Sequence, residues 1–155
     1  MKISIKKSNI RFLFYILTAV VMGIIFYFSS QNSAQSNGTS GNLIQFFLNL
    51  FVIEPTAEKI SSLQEIVRTA AHFCAFGLLG FLFLGSYVFS GKNRHIFLTP
   101  LFCTIGYAVI DEIHQLFSDG RAFQLFDIFI DTLGGALFIF IGIVTFSLVI
   151  KLCSK

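Results

Sequence analysis

Charge is scarce in this chain. Asp, Glu, Lys and Arg make up only 12% of the 155 residues, about half the share of an ordinary soluble domain. Hydrophobic residues make up 55% and the mean hydropathy is +0.80. That balance excludes a water-soluble globular protein and points to an integral membrane protein. Cysteine is sparse too. Cys74, Cys103 and Cys153 are an odd number with no CxxC spacing. This excludes a disulfide framework and a cysteine-based metal site, and leaves them as small apolar packing residues. No repeat or low-complexity tract divides the chain, so one domain over 1–155 is expected. The net charge of +3 sits mostly on the segments flanking apolar runs. It reports orientation and attraction to anionic lipid, and gives no ground for a nucleic-acid partner.

Long apolar runs are what the chain has in quantity. They cover roughly Phe12–Phe28, Val67–Phe89, Phe97–Phe117 and Phe126–Ile150. Each approaches the ~20 residues that a helix needs to cross a bilayer core of about 30 Å. The first follows a basic stretch, Lys2–Arg11, which mimics a signal peptide. It runs too long for a signal core and lacks a small-x-small cleavage site, so it reads as a retained anchor. Gln31–Gly41, rich in Ser, Asn and Gly, reads as an exposed loop. Asn42–Ile53 is apolar but too short to cross, which suits an interfacial or re-entrant helix ended by Pro55. Ser62-x-x-Glu65 reads as a capping box just before the second span. Short connections at Gly91–His95 and Ser118–Gln124 make spans two, three and four antiparallel neighbours. Gly120 offers a tight turn, and Gly134–Gly135 a close helix contact. The abundance of Phe, 21 residues, reads as lipid-facing and core filling. The expected fold is an all-α, four-transmembrane-helix bundle with a short interfacial or re-entrant helix between spans one and two.

Positive charge near helix ends marks the cytoplasmic side. Lys2, Lys6, Lys7 and Arg11 precede span one, Lys92 and Arg94 lie between spans two and three, and Lys151 and Lys155 follow span four. Alternating spans put all of these on one face, so both termini are expected in the cytoplasm. His95 shares that face as a solvated or headgroup-facing residue. Lys59, Arg68 and Arg121 fall on the other face. So do all eight acids: Glu54, Glu58, Glu65, Asp119, Asp111, Glu112, Asp127 and Asp131.

Charges within membrane helices usually face a bundle interior or wet cavity and mark function. Here the topology brings them to one depth. Arg68 and His72 are i and i+4 in span two. Asp111, His114 and Gln115 share a face of span three, with Tyr107 one turn earlier, while Glu112 points about 100° away. Asp127 and Asp131 are i and i+4 in span four. Ser29, Ser30 and Gln31 close span one nearby. Several chemistries fit such a set. A carboxylate can orient His72 or His114 as a general base, with Asp111 and Glu112 as further candidates. Arg68 and Arg121 can clamp a phosphate or carboxylate. Carboxylates with a His can hold a divalent cation, but no motif here fixes a ligand geometry, so no metal and no cofactor is assigned. The bland alternative is a set of internal ion pairs that only fixes helix register. The expected binding set is Gln31, Arg68, His72, Gln115, Arg121, Asp127 and Asp131.

These residues resemble the VanZ family of small bacterial membrane proteins. The match lies in Asp111-Glu112-Ile113-His114-Gln115-Leu116-Phe117, Gly120-Arg121, and Asp127 and Asp131 before Gly134-Gly135. Arg68-x-x-x-His72-Phe73, with Gly80 following, and Phe28-Ser29-Ser30-Gln31 complete it. The resemblance runs from about Phe26 to Gly142. Asp119 stands where the family often has Pro, Thr69 where Lys is common, and Phe76 where Tyr is common. The resemblance implies a multi-pass protein of the bacterial cell membrane, part of the cell envelope and linked to resistance to the glycopeptide antibiotic teicoplanin. It supplies no reaction. The implied partners are membrane lipids, a lipid-linked cell-wall precursor or a lipidated antibiotic. The expected function is an outer-leaflet pocket that binds or remodels such an anionic ligand. The alternative is a transferase or hydrolase acting on a lipid-linked substrate through Glu112, His114 and Asp111.

Overall fold

The structure, a computed structural model, describes residues 7–50, 57–91 and 94–153. Five helices run in chain order: α1 (Lys7–Ser29), α2 (Ser33–Leu50), α3 (Ala57–Phe89), α4 (Leu98–Gln115) and α5 (Leu125–Cys153). Three stretches are long and apolar enough to cross a membrane: Ser8–Ser29, Leu63–Phe89 and Leu125–Val149. The helix expected as the third of four spans, α4, is shorter. Its 18 residues extend about 27 Å at 1.5 Å per residue, and its last turns carry buried Asp111 and Glu112.

Two local expectations are overturned. Gln31–Gly41 is not a loop, because α2 begins at Ser33 and takes in most of it. The reason is a reciprocal cap. Asn32 Oδ1 accepts the Gln35 N–H at 2.9 Å, and Gln35 Oε1 accepts the Asn32 N–H at 3.3 Å. Asn32-x-x-Gln35 is a capping box, and it starts the helix despite the polar composition that follows. Likewise α3 starts at Ala57, ten residues before the apolar run. Ser62 and Glu65 therefore lie inside the helix, not at its start. Hydropathy locates the part of a helix that meets lipid, not the polar turns that extend it. Here Gln64 donates to the Asn37 carbonyl at 3.1 Å and ties the extension to α2. Pro55, Glu54, Lys92 and the terminal lysines Lys2, Lys6 and Lys155 lie outside the described residues.

Helix α3 is central and packs against each of the other four helices. Ile25, Phe76, Leu79 and Ala108 form the buried core where α1, α3 and α4 meet. Against α5 the approach is backbone to backbone. A Cβ on Gly80 would sit 3.0 Å from the Gly135 Cα and carbonyl oxygen, and one on Gly134 would run into the Phe73 carbonyl. Small residues permit such an approach between membrane helices. The outer surface is apolar: Phe12, Phe26, Phe102, Phe117 and Phe140 are all exposed, as lipid-facing residues would be. Cys74 and Cys103 are exposed on the same surface. Gly120, at φ 75°, makes the turn between α4 and α5.

Candidate functional site

The polar groups gather where the end of α1, the start of α2, the first half of α3, the end of α4 and the start of α5 meet. One hydrogen-bonded chain crosses this region. Ser29 Oγ donates to Asp111 Oδ2 at 2.8 Å, and Gln115 Nε2 donates to the same oxygen at 3.3 Å. Arg121 Nη1 then donates to Gln115 Oε1 at 3.1 Å. Ser29, Asp111 and Gln115 are all buried. Ser118 Oγ reaches the carbonyls of Ser29 and Ser30 at 3.4 and 3.3 Å, and joins the end of α4 to that of α1.

Glu112 points to a different neighbour, as its position on the helical wheel requires. It is fully buried, and Oε2 accepts the Gln124 N–H at 2.8 Å. A carboxylate thus shapes the segment before α5. His114 and Tyr107 do not join Asp111. The His114 ring stacks on Phe26 with centroids 3.9 Å apart, and Tyr107 donates to the Met22 carbonyl at 2.6 Å. Positions i+3 and i+4 fall on opposite sides of position i on the helical wheel, so Gln115 meets Asp111 while His114 turns outward.

A second group lies between α3 and α5. His72 Nδ1 is 3.6 Å from Asp131 Oδ1. That is an ion-pair distance, longer than a hydrogen bond. Asp131 is fully buried, and neither of its oxygens has a hydrogen-bond partner. Arg68, Thr69, His72, Asp127 and Asp131 line a cavity of about 10 Å³, the size of one water.

The larger cavity is new to the reading of the sequence. It holds about 200 Å³ and is lined by Arg68, His72 and Arg121, with Gln31, Ser36, Thr39 and Ser40 opposite. The three hydroxyl residues belong to α2, so a stretch read as loop supplies one wall. The cap Asn32-x-x-Gln35 was the feature in the sequence that could have found it. Thr39 Oγ1 donates to Gln31 Oε1 at 3.4 Å.

The expected site residues therefore fall into three sets. Asp111, Gln115 and Arg121 are bonded in series with Ser29; Arg68, His72, Asp127 and Asp131 surround the space between α3 and α5; and Gln31 lines the larger cavity. Glu112 and His114 each stand apart. Arg121, in the turn outside the apolar spans, belongs to both the series and the larger cavity. Burial lowers its pKa from the usual arginine value, and the nearby Arg68 charge lowers it further, against the pull of Asp111, Glu112 and Asp127. Its Nε is buried without a hydrogen-bond partner. Arg68 and Arg121 thus line one small space whose surface is otherwise largely apolar. Among the described residues, no three His, Cys, Asp or Glu side chains are grouped as a metal would require.

The VanZ/LLP1 family model matches residues 12–148. This chain belongs to the VanZ/LLP1 family. No curated protein and no solved structure matches. The VanZ/LLP1 match spans every residue of both cavities and of the hydrogen-bonded series. Family membership and three apolar helices together make this a membrane protein.

Proposed function

We propose that this protein recognises an anionic group of a membrane-associated ligand in the cavity between α2, α3 and the α4–α5 turn. The observation that carries the reading is that Arg68 and Arg121 both line one space of about 200 Å³. Two like charges repel when the space is empty. A phosphate or carboxylate between them relieves that repulsion and receives charge-assisted, forked hydrogen bonds. Ser36, Ser40 and the Gln31 amide line the same space and offer neutral donors to its remaining oxygens. The cavity is smaller than the ~300–1,000 Å³ of drug-sized sites. It suits the anionic head of a lipid, a lipid-linked glycan precursor or a lipidated glycopeptide, with the remainder of the ligand lying outside.

In this reading α4 crosses as a fourth span and α2 lies at the outer interface. Both termini face the cytoplasm of a bacterial cell, and the cavity opens at the outer leaflet. Family membership supports a role in glycopeptide resistance, through capture of a lipid-linked precursor or of the drug itself. The enzymatic alternative through Glu112, His114 and Asp111 is less favoured, because none of the three lines either cavity.

Binding tests the proposal directly. Purified protein in dodecylmaltoside is titrated with short-chain phosphatidic acid and with phosphatidylcholine of the same chain length. Phosphatidic acid should bind more tightly. Arg121→Lys and Arg68→Lys should each weaken it roughly 10-fold or more, since a hydrogen bond to a charged group contributes about 1.5–3 kcal/mol. Equal affinity for both lipids, or full affinity in both lysine variants, defeats the reading.

A further inference from the structure

The geometry around His72 goes beyond what anion capture requires. Its imidazole stands between two environments. Nδ1 faces the buried carboxylate of Asp131 at 3.6 Å, while the side chain keeps 20% of its surface open and lines the cavity that holds both arginines. Asp131 is fully buried with no hydrogen bond to either oxygen. A carboxylate behind an anion site can offset the guanidiniums or fix helix register. Facing Nδ1 of a histidine it does one thing more: it favours the Nδ1–H tautomer and supports the imidazolium when Nε2 takes a proton. The two guanidiniums are placed to balance charge that develops on phosphate oxygens.

Resting on the anion-recognition reading, we propose that the cavity hydrolyses the terminal phosphate of a membrane lipid, an ester or an anhydride, with His72 as general base and Asp131 as its positioning residue. A water in the cavity gives its proton to His72 Nε2 as its oxygen bonds to phosphorus. The bond between phosphorus and the bridging oxygen breaks, and its electron pair stays on that oxygen. The leaving oxygen, in line on the far side of phosphorus, takes a proton from solvent, and the imidazolium releases its own to water. Water and lipid phosphate become inorganic phosphate and a lipid alcohol, or a lipid monophosphate where the substrate is a diphosphate. Arg68 and Arg121 hold the non-bridging oxygens throughout.

The test measures inorganic phosphate released by purified protein in phosphatidylcholine nanodiscs, with EDTA present to silence metal-dependent contaminants. Phosphatidic acid and a short-chain isoprenyl diphosphate are the two substrates, and they separate a glycerolipid from an isoprenoid source. Release from either one supports the proposal. His72→Gln and His72→Asn should lower kcat at least ~100-fold, the usual contribution of a general base. Both should still bind phosphatidic acid. Asp131→Asn should lower kcat without raising KM and should displace the pH–rate profile, which a merely structural role would not do. No release from either substrate, or release unchanged in folded His72 variants, overturns the catalytic proposal. Binding by those same variants would leave anion recognition standing, whereas failure of wild-type protein to bind phosphatidic acid removes both.

Discussion

Ser29 Oγ donates to Asp111 Oδ2 at 2.8 Å across 82 residues of sequence. The bond joins the last turn of the first helix to the polar end of the fourth. It also turns a side chain at a helix exit, where a plain boundary would suffice, into part of the buried series that ends at Arg121. Ser29→Ala leaves a buried carboxylate oxygen with only the longer bond from Gln115. The expected loss is about 1–3 kcal/mol, read as a lower unfolding midpoint in detergent. An unchanged midpoint would show that water or Gln115 replaces the hydroxyl fully.

The α3–α5 contact gives a second prediction. Gly134→Ala forces a methyl into the Phe73 carbonyl, so the helices must separate. Overpacking of this kind costs about 1–3 kcal/mol. Gly23→Ala is the control, since a Cβ there meets nothing within 4 Å, and alanine is the better helix former by up to about 1 kcal/mol. Folded yield and unfolding midpoint should fall for Gly134→Ala and hold or rise for Gly23→Ala. The same direction in both would remove the close contact as the cause.

Glu112 distinguishes shape from charge. Gln at this position can still accept the Gln124 N–H, whereas Ala cannot. Glu112→Gln should keep both fold and phosphatidic acid binding. Glu112→Ala should lose about 1–3 kcal/mol of stability and loosen the turn that carries Arg121. A loss of anion binding in folded Glu112→Gln would mean that its negative charge acts on the cavity.

Topology is checked with single cysteines. In a background without Cys74, Cys103 and Cys153, Asn37→Cys should react with an impermeant thiol reagent added to intact cells. Asn37 is exposed on α2 and directly follows Ser36, which lines the cavity. Labelling only after the cytoplasmic face is opened would reverse the proposed orientation and remove the outer-leaflet cavity.

Much of this arrangement was legible in the sequence, though unevenly. Three of the four apolar runs correspond to the helices that qualify as spans, because hydropathy measures the property that lipid contact selects. Pairings inside one helix also followed from spacing: Gln115 reaches Asp111 as i+4 should, and Glu112 turns to a different neighbour. The errors arose where a polar segment folds through local bonds. The Asn32–Gln35 cap makes a helix from residues whose composition suggests a loop, and that helix carries Ser36, Thr39 and Ser40 to the cavity. His114 was placed with Asp111 by spacing alone. Positions i+3 and i+4 lie on either side of i, but which of them meets Asp111 and which turns to Phe26 depends on α1, about which spacing within α4 contains nothing.

The glycine contact has a consequence for chemistry. Phe73, whose carbonyl leaves no room for a side chain at Gly134, directly follows His72, and Gly134 lies one turn after Asp131. The reach between imidazole and carboxylate is therefore set by two backbones held against each other, with no adjustable linker between them. A methyl group at Gly134 acts as a spacer in the dyad. Protein carrying it that still folds should lose turnover out of proportion to its loss of stability, with Arg68 and Arg121 still in place to hold the anion.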